Sequence, residues 1–108
     1  MSVENWMFEQ LAAHGWSIDR LLKSAKREYE TAVGLKQASV WFRKDSEVDQ
    51  FWLSAQYDSE GCNAAACCYA IVPEKASEDA VAAAVDAFIE NLDNTVSQTY
   101  AARLLKAA

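Results

Sequence analysis

Few residues in this chain could do covalent or metal chemistry. There are three cysteines, Cys62, Cys67 and Cys68, and one histidine, His14. A zinc centre wants four ligands, commonly supplied in C-x₂₋₄-C pairs. Here the spacing is C-x₄-C-C, and adjacent residues of an extended chain point to opposite faces, so Cys67 and Cys68 cannot both face one ion. Buried structural thiols are the simpler reading, with Cys62, beside a turn, the candidate for a reactive one. His14 falls near the end of a helix and has no sequence neighbour that would make a dyad. Nucleophilic catalysis needs an oriented base and oxyanion donors, which cannot be assigned. The glycines, at 15, 34 and 61, are too scattered for a phosphate-cradling loop. The expectation is a protein that is not an enzyme, with no metal site and no cofactor.

Recognition chemistry is better represented. Trp41 and Trp52 stand among Arg43, Gln50 and serines, a composition typical of protein-binding surfaces, where tryptophan and arginine are favoured anchors. Arg43 can stack on an indole or grip a carboxylate. The competing reading is that a helix covers this face and both tryptophans are core. A second set is acidic: Asp45, Glu47 and Asp49 around one loop, and Asp86 and Glu90 on a helix. Solubility explains acidic surfaces adequately. The functional reading is steering of a basic or nucleic-acid-binding protein.

The element that positions the tryptophans is a hairpin over 36–57. Ala38, Val40, Phe42 and then Phe51, Leu53, Ala55 alternate with Gln37, Ser39, Trp41, Arg43 and then Gln50, Trp52, Ser54, Gln56. Pairing Lys44 with Asp49 opposes Phe42 to Phe51 and Trp41 to Trp52, and a one-residue slip would mix the faces. A third strand is expected over about 63–72, apolar on both faces and closed by Pro73. Its register is open.

Helices are expected on both sides of the strands. Ser2 caps one to about His14, with Val3, Trp6, Met7 and Leu11 inward and Gly15 as its stop. Ser17 caps a second, in which Ile18, Leu21, Leu22, Ala25, Tyr29, Ala32 and Val33 share one stripe and Gly34 ends it. Trp16 and Leu21 sit at the positions of a hydrophobic staple, Lys26 and Glu30 make an i,i+4 pair, and Arg20, Lys23 and Arg27 lie on its back as a solvated face. Ser77 caps a third, and Asp93-Asn94-Thr95 favours a break before a fourth, one long helix being the alternative. The expected fold is α+β, with residues 1–108 a single domain. A helical hairpin, a three-stranded antiparallel β-meander and two C-terminal helices follow in the order α-α-β-β-β-α-α.

Charge and composition bound the function. The chain has 108 residues, 52% hydrophobic and 24% charged, with net charge −6, which fits a globular domain rather than disorder. Residues 1–44 carry a net +2 and residues 45–108 a net −8, an asymmetry suited to steering or self-association. The acidic half would repel phosphates, so direct nucleic-acid binding is not expected. No apolar run approaches membrane-spanning length, no signal peptide is evident, and an odd number of cysteines makes no disulfide framework. A cytoplasmic location is therefore expected. In size and acidity the chain resembles small inhibitors, immunity proteins and chaperones of bacteria and their phages, a class-level likeness. The reading is an inhibitor or adaptor, a homodimer, that occupies a protein partner's surface. The alternative is a sensor or small enzyme with a pocket between sheet and helices lined by Trp41, Gln50, Trp52 and Tyr69.

Overall fold

The computed structural model describes residues 3–31, 34–45, 50–57, 68–73 and 75–107, with side chains described for all of these except 45, 57, 68–70 and 99–107. The elements are α1 (Val3–Ala13), β1 (Ser17–Asp19), β2 (Ser24–Thr31), β3 (Gly34–Asp45), β4 (Gln50–Tyr57), β5 (Cys68–Pro73) and α2 (Glu78–Ala107). The strands form one antiparallel sheet in the order β1-β2-β3-β4-β5. The α+β class holds, but among the described residues the order is one helix, five strands and one helix.

α1 forms where the apolar spacing requires it. Val3, Met7 and Leu11 recur four residues apart, and they are buried together with Phe8. Gly15 ends the helix with φ +89°, while the Trp16 amide donates to the Leu11 carbonyl at 3.1 Å, closing the last turn. The expected Ser2 cap lies outside the described residues.

The second helix does not form; its sequence becomes β1, a turn and β2. Ala25, Arg27 and Tyr29 alternate with Lys26, Glu28 and Glu30, so the same residues carry a period of two as well as a helical stripe. The sheet wins because β2 pairs with β3 along eight residues, from Ser24 opposite Trp41 to Thr31 opposite Gly34. Leu21 and Leu22, which the helix would have buried, sit in the turn at 93% and 63% exposure. The Trp16–Leu21 staple is therefore absent; Trp16 is buried and meets the Tyr29 ring edge-on at 6.2 Å. Lys26 and Glu30 are two steps apart along one face of a strand, beyond the reach of a helical pair. The Arg20, Lys23, Arg27 face is likewise dispersed: Arg20 and Lys23 occupy the turn, and Arg27 lies in β2. Gly34, expected to stop a helix, instead opens β3 with φ +110°.

The β3–β4 hairpin forms with the expected faces and a register shifted by two. Phe42 is opposite Leu53, Trp41 opposite Ser54, and Arg43 opposite Trp52. A shift of two preserves the alternation, so hydrophobic pattern alone could not choose between the registers. Lys44 pairs with Phe51 rather than Asp49 and places its ammonium 5.8 Å from that ring's centroid. The Phe42 and Phe51 rings still stack diagonally, centroids 5.1 Å apart. In β5, Val72 pairs with Phe51 and Ile71 with Trp52, which settles the third strand's register. The expected segment 63–67 lies outside the described residues.

α2 is one helix of 30 residues with no break at 93–95. Ser77 caps it, its hydroxyl accepting from the Ala80 amide at 3.2 Å. The residues expected to interrupt it have helical or tertiary partners instead. Thr95 donates its hydroxyl to the Asn91 carbonyl at 2.7 Å, and Asp93 accepts from Tyr29 at 2.6 Å. Val96 continues the buried stripe of Val81, Val85, Phe88, Ile89 and Leu92. Both helices lie against the same side of the sheet, where one core joins these residues to Val40, Phe42, Phe51, Leu53, Ala55 and Val72.

Candidate binding face

The sheet is covered on one side only among the described residues. Its helix side holds Ala38, Val40, Phe42, Phe51, Leu53 and Ala55, all buried. The opposite side is built by the other parity of the same strands. β3 contributes Leu35, Gln37, Ser39, Trp41 and Arg43, and β4 contributes Gln50, Trp52, Ser54 and Gln56. Three apolar side chains there are open to solvent: Trp41 at 39%, Leu35 at 65% and Ile71 at 43%. Trp52 is half-buried between Arg43 and Ile71, its two cross-strand neighbours. The structure thus places Trp41, Arg43, Gln50 and Trp52 on one open face.

Polarity along this face runs with the strands. Glu28 and Glu30, both exposed, lie on β2 toward its Thr31 end. Arg43, also exposed, lies toward the opposite end of the sheet. A cleft of about 530 Å³ is lined by Gly15, Ser17, Lys26, Arg27, Glu28 and Gln37. Trp41, Gln50 and Trp52 line neither this cleft nor the smaller one, about 140 Å³, between α1 and the start of α2. They stand on the side of the sheet away from the helices, and among the described residues packed side chains occupy the sheet–helix interface.

The β1–β2 turn lies at the Arg43 end and is held firmly. The Asp19 carboxylate accepts from the amides of Leu21 and Leu22 at 3.1 and 3.0 Å, and Lys23 adopts φ +51°. Phe42 donates its amide to the Lys23 carbonyl at 3.0 Å. Arg20 bonds Asn5 at 2.8 Å and lies 5.3 Å from the centre of the Phe8 ring. Lys23 stands 3.6 Å from Glu4. The two leucines are therefore displayed from an anchored turn.

The acidic set divides. Asp86 is engaged within the molecule: Gln10 donates to its Oδ1 at 2.7 Å, and His14 Nε2 lies 2.7 Å from the same oxygen. These contacts, His14 first, hold its carboxyl below the usual carboxylate range. Glu90 is exposed on α2. The side chain of Asp45, and all of Glu47 and Asp49, lie outside the described residues, as do Cys62, Cys67 and the side chains of Cys68 and Tyr69. Among the described residues no cluster of His, Cys, Asp or Glu could hold a metal ion.

Three parts of this arrangement escape sequence reasoning. Leu35 lies one residue before the expected strand, although the alternation 35, 37, 39, 41, 43 includes it. Ile71 needs the register of β5, which its two-faced apolarity conceals. The His14–Asp86 contact joins residues 72 positions apart, and nothing local signals it. No protein-family model, curated protein or solved structure matches the chain.

Proposed function

We propose that this chain is a small non-enzymatic protein-binding module, an inhibitor or adaptor that occupies a partner protein's surface with the open face of its sheet. The observation that carries this is the one-sided covering: Trp41, Trp52, Ile71 and Leu35 share a face with Arg43 and Gln50, opposite both helices. Indole groups on a rigid sheet lose little side-chain entropy on binding, and a guanidinium adds directed, bidentate hydrogen bonds, which makes both efficient anchors. The partner is a protein with a flat, partly apolar patch ringed by basic groups, because residues 45–108 carry a net −8 and would steer it. The exposed Glu78, Asp79 and Glu90 belong to that acidic field. The reading carries a cytoplasmic setting, in which the three cysteines would be kept as reduced thiols.

The test is affinity capture from native-host lysate with wild type and Trp41→Ala/Trp52→Ala, circular dichroism first showing that both fold. The captured protein is then purified and bound back, and amide hydrogen exchange maps the contact. Protection of β3 and β4, with binding lost in the double variant and weakened by salt, is the expected result. Binding that survives the double substitution, or protection confined to α1 and α2, overturns the reading.

A further inference from the structure

We propose that the outer edge of β2, over residues 28–31, takes an added strand from another protein: an extended basic segment with Lys or Arg at alternate positions, opposite Glu28 and Glu30. This is a second site beside the open face, built from backbone and two carboxylates rather than from the tryptophans.

The edge is left by the shortness of β1. Its three residues pair with β2 only at Ser17–Lys26, Ile18–Ala25 and Asp19–Ser24, whereas β2 runs on to Thr31 against β3. The chain ahead of β1 does not continue the ladder. Gly15 turns it with φ +89°, and the Trp16 amide donates to the Leu11 carbonyl of α1. One bond tells which backbone groups of β2 face outward. The Lys23 carbonyl, one row beyond Ser24–Trp41, accepts from the Phe42 amide of β3. Antiparallel pairs alternate between bonded and non-bonded. Ala25, Arg27 and Tyr29 therefore turn their backbone groups to β3, and Ser24, Lys26, Glu28 and Glu30 turn theirs outward. Ser24 and Lys26 meet β1 there. Glu28 and Glu30 meet no backbone partner among the described residues. Two amides and two carbonyls are left in line, the template that strand addition uses.

Charge selects the strand. Glu28 and Glu30 are both exposed, on the side of the sheet that carries Gln37 and Leu35, their opposites in β3. Neither carboxylate has an ion-pair partner among the described residues. Side chains directly opposite on paired strands stand about 5 Å apart, so two carboxylates at alternate positions favour cations at alternate positions and repel acidic strands. The nearby cations are placed elsewhere. Arg27 lies 3.6 Å from Asp93 of α2, and Lys26 stands in the row that Ser17 already fills. Where the added strand reaches Ser17, the cleft of about 530 Å³ lined by Gly15, Ser17, Lys26 and Glu28 gives it room to leave the sheet. The other edge is less suited to a ladder, because β5 ends in Pro73, which has no amide to donate.

Amide NMR of the full chain tests this with acetyl-Thr-Lys-Val-Lys-Thr-amide as the probe, its lysines opposite Glu30 and Glu28. Saturable shifts at the amides of residues 28–31 are expected, with a dissociation constant of about 1 mM for so short a ladder. Methylating both lysine amides, which face β2, should weaken binding at least about tenfold, whereas methylating the valine amide, which faces away, should change it less than about threefold. Glu28→Lys/Glu30→Lys should lose the probe and take acetyl-Thr-Glu-Val-Glu-Thr-amide instead. Both altered side chains are exposed, so its circular dichroism should match wild type. Trp41→Ala/Trp52→Ala should bind the probe as wild type does, which separates this edge from the open face. No saturable shift at about 10 mM probe, or shifts centred on β5, overturns the proposal. So do methylations that act alike at lysine and valine, a charge-reversed variant that still prefers the lysine probe, or loss of the probe in the tryptophan variant. The binding-face reading is decided separately, by the capture experiment.

Discussion

Tyr29 shows how a single side chain ties distant parts of the chain together. Its hydroxyl donates to Asp93 on α2 at 2.6 Å, its ring packs on Trp16, and the Arg27 guanidinium lies 4.9 Å from its centroid. Burial first, and the carboxylate second, push the phenol well above its usual range. A raised phenol gives stability that is complete below about pH 10 and is lost as pH rises through the folded value. Tyr29 should therefore resist ionisation in an ultraviolet titration, and Tyr29→Phe should remove that late step. The same substitution should cost about 1 kcal/mol in urea unfolding, the worth of one hydrogen bond. Asp86 has the opposite sign. Its lowered carboxyl contributes stability above the ordinary carboxylate value, near pH 4, and loses it as pH falls through the lower folded value. Asp86→Ala should thus differ from wild type at pH 7 and converge with it in strong acid, as thermal unfolding across pH would show.

At the scale of elements, legibility follows periodicity where only one period is present. α1, the faces of β3–β4 and the Ser77 cap are readable because spacing and capping chemistry each point one way. The segment 17–31 is not, since Ala25 and Tyr29 satisfy a period of two and a helical stripe alike. The choice is made by a long-range partner, β3, whose ladder a local reading does not see. The β3–β4 register escapes for a related reason: a two-residue shift leaves every face unchanged, and Lys44 finds the Phe51 ring instead of Asp49. α2 looks divisible because Asp93 and Thr95 have the chemistry of caps, whereas Tyr29 and the Asn91 carbonyl occupy them. The binding face is half legible. Trp41, Arg43, Gln50 and Trp52 follow from alternation, while Ile71 waits on a register. Gly34 belongs to this scale as well. Its φ is +110°, and no atom lies within 4 Å of where a Cβ would stand, so conformation, not space, is the constraint. Gly34→Ala should cost about 1–2 kcal/mol in urea unfolding and leave the circular dichroism spectrum unchanged.

The whole molecule is a twisted sheet with two helices strapped to one side. α2 runs about 45 Å at 1.5 Å per residue, close to the 49 Å longest extent of the fold. It is tied to α1 through Asp86 and to β2 through Asp93. Among the described residues no helix is long and apolar enough to cross a membrane. Everything proposed about function depends on which side of the sheet the hairpin tryptophans occupy. Urea unfolding of Trp41→Ala/Trp52→Ala beside Leu53→Ala, at protein concentrations low enough for the monomer, decides it. Leu53 is fully buried, and its truncation should cost about 3 kcal/mol. The double variant should lose about 4 kcal/mol at most, about 2 for each indole, since Trp41 is 39% exposed and Trp52 half-buried on the open side. A loss of about 6 kcal/mol or more, the sum expected of two core tryptophans, would place both inside the fold and remove the binding face.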